Sequence, residues 1–166
     1  LAEVQIGPFG SLLHKVDYVM GGVPLINPMH IQDGRLRPDK EFSVSEKKAS
    51  TLALYRLQEG DVVLGRRGEM GRAGVVESEH EGMLCGTGSL ILRPRGEDSQ
   101  FVHALLTSAR MKAHLERESL GATLPNLNST IVKSAPAPRI PQAEQWRFAH
   151  MTSAADLQLS RAEAHS

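Results

Sequence analysis

Three arginines crowd one short glycine-rich segment of the sequence. Residues 65–74 have the sequence GRRGEMGRAG and place Arg66, Arg67 and Arg72 beside a single acidic residue, Glu69. Guanidinium groups on a turn suit phosphate contacts and the two-point recognition of guanine edges. The segment lacks the Lys-Ser/Thr ending of a phosphate-binding P-loop, and no helix is predicted after it. A solvated hairpin turn is the competing interpretation, and the sequence leaves both open.

A second group of residues could support nucleophilic chemistry. Cys85 is the only cysteine, and His80 precedes it among Glu77, Glu79 and Glu81. Cys85 lies in the apolar stretch MLCGTG, which is typical of a buried and unreactive thiol. The seven histidines show neither an HExxH pattern nor another paired ligand spacing, so we predict no metal site. No cofactor fingerprint is present, and the pattern favours a binding protein without catalytic residues or a cofactor.

Hydrogen-bonding side chains also follow two predicted strand ends. Lys15 comes after the GPF turn, close to Ser11 and His14, and Asn27 follows the extended stretch VPLI. Side chains at such positions could form the rim of a groove that faces a ligand. Ordinary polar loop residues are the alternative, and the sequence does not separate the two.

The overall composition sets limits on partners and location. The 166 residues carry 19 Lys plus Arg and 19 Asp plus Glu, so the net charge is zero. Neutrality argues against a strongly basic nucleic-acid coat but permits a local basic patch. No apolar run approaches the roughly 20 residues of a membrane span, and the first ten residues do not resemble a signal peptide. A single cysteine fits a reducing, cytoplasmic setting. The start at Leu1 hints that the chain is cut from something longer.

Hydrophobic patterning predicts an α+β fold. We expect strands at residues 3–6, at 61–65 with a hairpin return, and at 83–92 around a Gly-Thr-Gly kink, whereas 32–50 is predicted to be a surface loop. One helix is predicted from about 98 to 117, with Asp98 or Ser99 as its N-cap, and another from 142 to the end. The expected architecture is a compact, strongly twisted mixed β-sheet domain with flanking helices and a long C-terminal helix.

These pieces, taken in order, resemble a known family. The blocks are GPFGSLLHKVDYVMGGVPLINPMHI, GDVVLGRRGEMGRAGVV, GMLCGTGSLILRP, GATLPNLN, and a proline-rich segment before QAEQ and a long helix. Their order and spacing resemble the target recognition domain of the specificity subunit of type I restriction-modification systems. The resemblance covers about residues 3–150.

The resemblance implies a function and a set of partners. Such subunits have two target recognition domains joined by long helices, and each domain recognises half of a split site in double-stranded DNA. The helices set the spacing and hold the DNA adenine methyltransferase subunits, a restriction subunit joins the complex, and the specificity subunit is not catalytic. Residues 1–140 would then be the recognition domain, and 141–166 the start of a spacer or dimerisation helix. Residues 145–166 would meet a second recognition domain or a second copy of the chain.

The same resemblance suggests DNA-contacting residues. The expected set is Lys15, Asn27, Arg66, Arg67, Arg72 and Asn126.

The block at 121–130, GATLPNLNST, has features of a structural junction. Leu124 and Leu127 would anchor it in the domain, while Asn126 and Asn128 would cap a helix, hold backbone or face DNA. Two other functions stay open for the chain as a whole. One is a protein-interaction adaptor acting through the C-terminal helix, and the other is a small enzyme that binds a phosphorylated ligand at the glycine-rich turn.

Overall fold

The computed structural model describes residues 1–119 and 126–151. It confirms the predicted α+β class, with two small sheets, one hairpin and several helices. The strands are β1 Ala2–Ile6, β2 Tyr18–Val19, β3 Val23–Ile26, β4 Ile31–Gln32, β5 Arg35–Leu36, β6 Ser43–Val44, β7 Val62–Gly65, β8 Ala73–Val75, β9 Leu84–Cys85 and β10 Ser89–Pro94. The helices are α1 Glu46–Thr51, α2 Ser99–Thr107, α3 Ala109–Ser119 and α4 Ser129–Ser134, and residues 142–151, here called the C-terminal helix, are also helical.

The first sheet lies between two apolar layers. Its strands run in the order β1-β10-β7-β8, with all neighbours antiparallel. Because side chains alternate across a strand, Val62 and Leu64 face a core built with helices α2, α3 and α4, whereas Val63 faces the opposite core. Strand β10 alternates in the same way. Burial of each such side chain stabilises the fold by about 1.5–3 kcal/mol. Both faces of β7 and β10 are buried, which explains why the sequences of these strands are continuously apolar.

The second sheet contains a pair of parallel strands. Its order is β2-β6-β3-β9, and β3 runs parallel to β9 with Leu25 opposite Leu84. Parallel strands end at the same edge of a sheet, so the loops that follow β3 and β9 emerge side by side. The two strands share a small core with Val44.

The predicted single helix over 98–117 is wrong, because Ser108 breaks it into α2 and α3. Ser108 is extended (φ −62°, ψ 143°), and its N–H bonds to the Leu105 carbonyl as α2 ends. Its hydroxyl then accepts a hydrogen bond from the Met111 N–H at 3.3 Å, which caps α3. The apolar spacing continues across the break, which explains why the pattern looked like one helix. The predicted N-cap Asp98 is confirmed, since its carboxylate accepts from the Phe101 N–H at 2.9 Å.

The prediction of a surface loop over 32–50 is also wrong. The segment contains β5, β6 and α1, and Ser45 caps α1 by accepting from the Lys48 N–H at 3.2 Å. Leu36 and Ala49 are buried in two different cores. A few apolar side chains facing inward therefore organise a segment whose composition is otherwise charged.

The C-terminal helix packs on the domain with its first turns. Ala149 is buried, and the ring of Phe148 meets that of Phe101 edge-on at 5.6 Å. The predictions for residues 121–125, including the Leu124 anchor, and for 152–166 lie outside the described residues. In the part of the chain that the structure describes, no helix is both long and apolar enough to cross a membrane.

A candidate nucleic-acid interface at one end of the sheets

Four segments meet at one end of the two sheets. The loops after β3 and β9 lie together because those strands are parallel. The loop after β9 leads directly into β10, and pairing of Gly65 with Ser89 brings the turn after β7 next to it. There the Arg66 N–H donates to the Gly88 carbonyl at 2.9 Å. The Leu127 N–H donates to the Arg66 carbonyl at 2.9 Å and attaches the fourth segment. We call this region the loop cluster, formed by residues 27–28, 66–72, 86–88 and 126–128.

Arg66 is a central connector of the loop cluster. Only 6% of the residue is exposed, and its Nε donates to the Leu127 carbonyl at 2.8 Å. Its Nη1 reaches the Thr87 carbonyl at 3.5 Å. Burial, with a smaller contribution from the neighbouring positive charge of Arg67, lowers the pKa of Arg66. A buried guanidinium that ties three loops together favours a positioning role for Arg66 over direct contact with DNA.

The other two arginines of the turn differ in their contacts. Arg72 pairs with Glu69 at 2.9 Å and donates to the Pro28 carbonyl at 3.4 Å. The hydrogen bond from Arg72 leads the effects that lower the pKa of Glu69, and Lys112 adds to them from 3.7 Å. Arg67 is exposed and has no hydrogen bond or ion pair among the described residues. The turn thus carries one exposed guanidinium that the described residues leave without a partner.

The glycines of this segment are required by backbone conformation at Gly68, by close packing at Gly74 and by both at Gly71. Gly68 and Gly71 have φ of +78° and +76°, a region that L side chains rarely adopt. A Cβ on Gly71 would lie 2.5 Å from Lys112 Cγ and 3.0 Å from the Leu106 carbonyl oxygen, and one on Gly74 would lie 2.8 Å from Leu36 Cδ2. The glycine spacing that suggests a phosphate loop in the sequence is therefore explained by a hairpin turn packed against its neighbours.

Asn27 is positioned inside the loop cluster. It precedes the short 3-10 turn Pro28–His30, and its side-chain oxygen accepts from the Gly88 N–H at 3.4 Å. A Cβ on Gly86 would lie 2.2 Å from the same oxygen, so this glycine makes room for the amide. Asn27 therefore has a structural role, whether or not it also contacts DNA.

Lys15 lies on a separate segment, the exposed 3-10 turn Lys15–Asp17. That turn is held by Asp17, whose carboxylate accepts from the His14 N–H at 2.7 Å and pairs with Lys48 at 3.1 Å. Within residues 1–119 and 126–151, no side-chain hydrogen bond or ion pair joins Lys15 to the loop cluster. Five of the six predicted DNA contacts thus belong to the cluster, and Lys15 stands apart.

The block around Asn126 is attached through its backbone. Leu127 is fully buried, as expected of an anchor, and Asn128 caps α4 by accepting from the Ile131 N–H at 2.9 Å. The side-chain oxygen of Asn126 is buried without a hydrogen-bond partner among the described residues. Helix α4 itself was not predicted, although the capping role left open for Asn128 was the signal for it.

The groups considered for nucleophilic chemistry are placed as structural residues. Cys85 is fully buried, and burial raises the pKa of its thiol far above the ordinary range. His80 is buried too, with Nδ1 accepting from the Glu77 N–H at 3.3 Å and Nε2 lying 3.4 Å from a Glu79 carboxylate oxygen. The possible ligand atoms of Glu77, Glu79 and His80 lie within 4.8 Å of one another, but each ring nitrogen of His80 already has a neighbour that explains its position.

Gln145 links the C-terminal helix to the domain, and sequence reasoning missed it. Its side-chain Oε1 accepts from the Asp98 N–H at 2.9 Å, and its side-chain Nε2 donates to the Ile140 carbonyl at 3.1 Å and to the Glu97 carboxylate. The side chain is 2% exposed. Gln145 precedes Ala149 by four residues, and residues at this spacing share one face of a helix. Since Ala149 is buried, Gln145 lies on the face of the C-terminal helix that packs on the domain.

The fold and the loop cluster together define a class of domain: an α+β domain with loops gathered at one end and a helix fixed to it near residue 145. No established family profile and no curated protein matches the sequence. Solved structures do match. The chain is similar to the HsdS subunit from Thermoanaerobacter tengcongensis, with TM-score 0.73 and 16% identity over 99% of this chain and 37% of that one.

Two further structures show the same fold. A chain from a structure on complex assembly and conformational transition of the type I restriction-modification system has TM-score 0.70 and 20% identity, covering 99% of this chain and 39% of that chain. The type I restriction-modification S subunit from M. genitalium has TM-score 0.58 and 17% identity, covering 98% and 38%. The resemblance predicted from the sequence is confirmed at the level of the fold, and the chain spans about two fifths of the length of these neighbours.

Proposed function

We propose that this chain is a non-catalytic DNA target recognition domain, of the kind found in type I restriction-modification specificity subunits. In this role it binds one half of a split site in double-stranded DNA and directs DNA adenine methyltransferase and restriction subunits to it. The observation that carries the proposal is the fold similarity to three such structures over 98–99% of the chain. At 16–20% identity that similarity concerns the fold, so the function needs its own support.

The loop cluster supports DNA recognition because it combines rigidity with an available cation. Sequence is recognised by side chains that reach base edges from a well-fixed backbone, while Lys and Arg contact phosphates. Here Arg66 and Leu127 fix the backbone, and Arg67 is exposed. A chain of zero net charge should bind DNA weakly by itself. If it contacts about four phosphates, affinity should fall about tenfold per doubling of salt.

The second half of the site would come from another recognition domain. We propose that residues 145–166 meet either a second domain of the same subunit or a second copy of this chain. Support comes from Trp146 and Met151, which are 60% and 74% exposed on the C-terminal helix. The predicted division into 1–140 and 141–166 is part of this proposal, although Gln145 and Ala149 pack on the domain itself.

The test is to co-express the chain with the DNA adenine methyltransferase of its own system and map N6-methyladenine in the host DNA. A split motif that is absent when the methyltransferase is expressed alone is the expected result. A palindromic motif would indicate two copies, and an asymmetric one a second, different domain. Formation of a stable complex without any methylated motif would contradict the proposal.

An adaptor without a DNA role is the second candidate, because the exposed Trp146 and Met151 suit protein contacts as well as they suit a spacer helix. It predicts that truncation before residue 145 removes partner binding, whereas Arg67→Ala has no effect on any activity of the complex. The methylation map separates the two candidates, since only the recognition domain imposes a sequence motif.

A further inference from the structure

The three arginines of the turn at 66–72 have three different environments. Arg66 is buried and bonded to carbonyls of two other loops. Arg72 pairs with Glu69 and contacts the Pro28 carbonyl. Arg67 is exposed and bonds to nothing among the described residues. None of the five N–H donors of the Arg67 guanidinium is used by a residue of 1–119 or 126–151.

The backbone that carries Arg67 is held on both sides. Before it, the Arg66 N–H and carbonyl are both hydrogen-bonded, to Gly88 and to Leu127. After it, Met70 is 3% exposed in the main core, which pulls the tip of the turn inward. A side chain on such a turn loses little backbone freedom on binding, which favours recognition with defined geometry.

We propose that Arg67 recognises a guanine in the major groove of the half-site, with Arg66 as a positioning residue. This inference rests on the proposed function. Guanine presents two adjacent acceptors, N7 and O6, which match two parallel N–H donors of a guanidinium. Adenine replaces one acceptor with an amino donor, and cytosine presents a donor, so neither can satisfy the same pair. A DNA phosphate is the other source of paired acceptors, and it carries no sequence information.

Comparing lysine with alanine at position 67 separates base recognition from phosphate contact. Arg67→Lys keeps the positive charge but removes the planar pair of donors. The assay is the methylation map of the co-expressed complex, determined for the wild type, Arg67→Lys and Arg67→Ala. The wild-type half-site should contain a guanine, and in Arg67→Ala that position should accept other bases while the remaining positions stay unchanged. The expected loss of discrimination there is roughly 5- to 150-fold. Arg67→Lys should discriminate less than the wild type and more than Arg67→Ala.

Arg95→Lys is the matched control, because Arg95 is exposed and follows the opposite end of β10. It should leave the motif unchanged, and equal melting temperatures of all variants would exclude misfolding as the cause. Because lysine can also donate to guanine N7 and O6, Arg67→Ala is the decisive variant. A motif that keeps its guanine in Arg67→Ala, or a fall in methylation that is equal at all sites in Arg67→Ala and absent in Arg67→Lys, would overturn guanine recognition and leave the proposed function intact. Absence of any motif in the wild-type complex would overturn the proposed function itself.

Discussion

Replacing Gln145 with alanine should loosen the joint between the domain and the C-terminal helix. The side chain makes three hydrogen bonds, to the Asp98 N–H, the Ile140 carbonyl and the Glu97 carboxylate, while 2% exposed. A buried polar group left without its partner costs about 1–3 kcal/mol. Because Asp98 and Glu97 are partly solvated, water would replace some of the lost bonds, and we expect a total cost of about 2–3 kcal/mol. For a chain of this size that corresponds to a fall in melting temperature of roughly 4–12 °C.

Gln142 provides a control in the same helix. It is exposed and makes one hydrogen bond, from its amide to the Gly96 carbonyl at 2.8 Å. Gln142→Ala should therefore cost less than about 0.5 kcal/mol. Urea denaturation measures both variants, and hydrogen exchange of residues 142–151 shows whether the helix detaches before the domain unfolds. Equal costs for the two variants, or unchanged exchange in Gln145→Ala, would refute the conclusion that Gln145 fixes the helix to the domain.

Two further predictions concern buried polar groups. Asp61 is 1% exposed and accepts two hydrogen bonds from Arg93, both at 2.8 Å. Since Arg93 is one-third exposed, Asp61→Asn should lower the free energy of unfolding by about 2–4 kcal/mol, measured by urea denaturation. A cost below about 1 kcal/mol would contradict a stabilising ion pair. Burial lowers the pKa of His30 in the folded protein, so its contribution to stability is complete above pH 6.5 and is lost as pH falls from there through the folded pKa. Between pH 7 and 5 the free energy of unfolding should therefore decline less in His30→Gln than in the wild type. The two slopes should differ by at most about 1.4 kcal/mol per pH unit, and identical slopes would contradict the lowered pKa of His30.

Local features of the chain were predictable because they depend on neighbouring residues. The strand over 61–65 follows from a short apolar run bounded by turn residues, and β7 occupies Val62–Gly65. Asp98 was recognisable as a cap because a short acceptor side chain before an apolar helical pattern satisfies the first backbone N–H groups. The buried state of Cys85 followed in the same way from its apolar neighbours.

Features that depend on distant contacts were decided by the tertiary structure. Arg66 and Arg67 are adjacent in sequence and chemically identical, yet one is buried and the other exposed. The difference arises because the Leu127 carbonyl, 61 residues further along the chain, lies within reach of Arg66 alone. Gln145 likewise connects the C-terminal helix to the domain, because it forms hydrogen bonds with Asp98 and Glu97, which lie 47 and 48 residues earlier in the chain. The sequence by itself determined the α+β class, the strand at β7 and the helix start at Asp98, and it determined which family the chain resembles. It did not determine the break at Ser108, the elements within 32–50 or helix α4. Which polar side chains are buried and which are exposed was decided only by the folded chain, because burial depends on residues that are distant in the sequence.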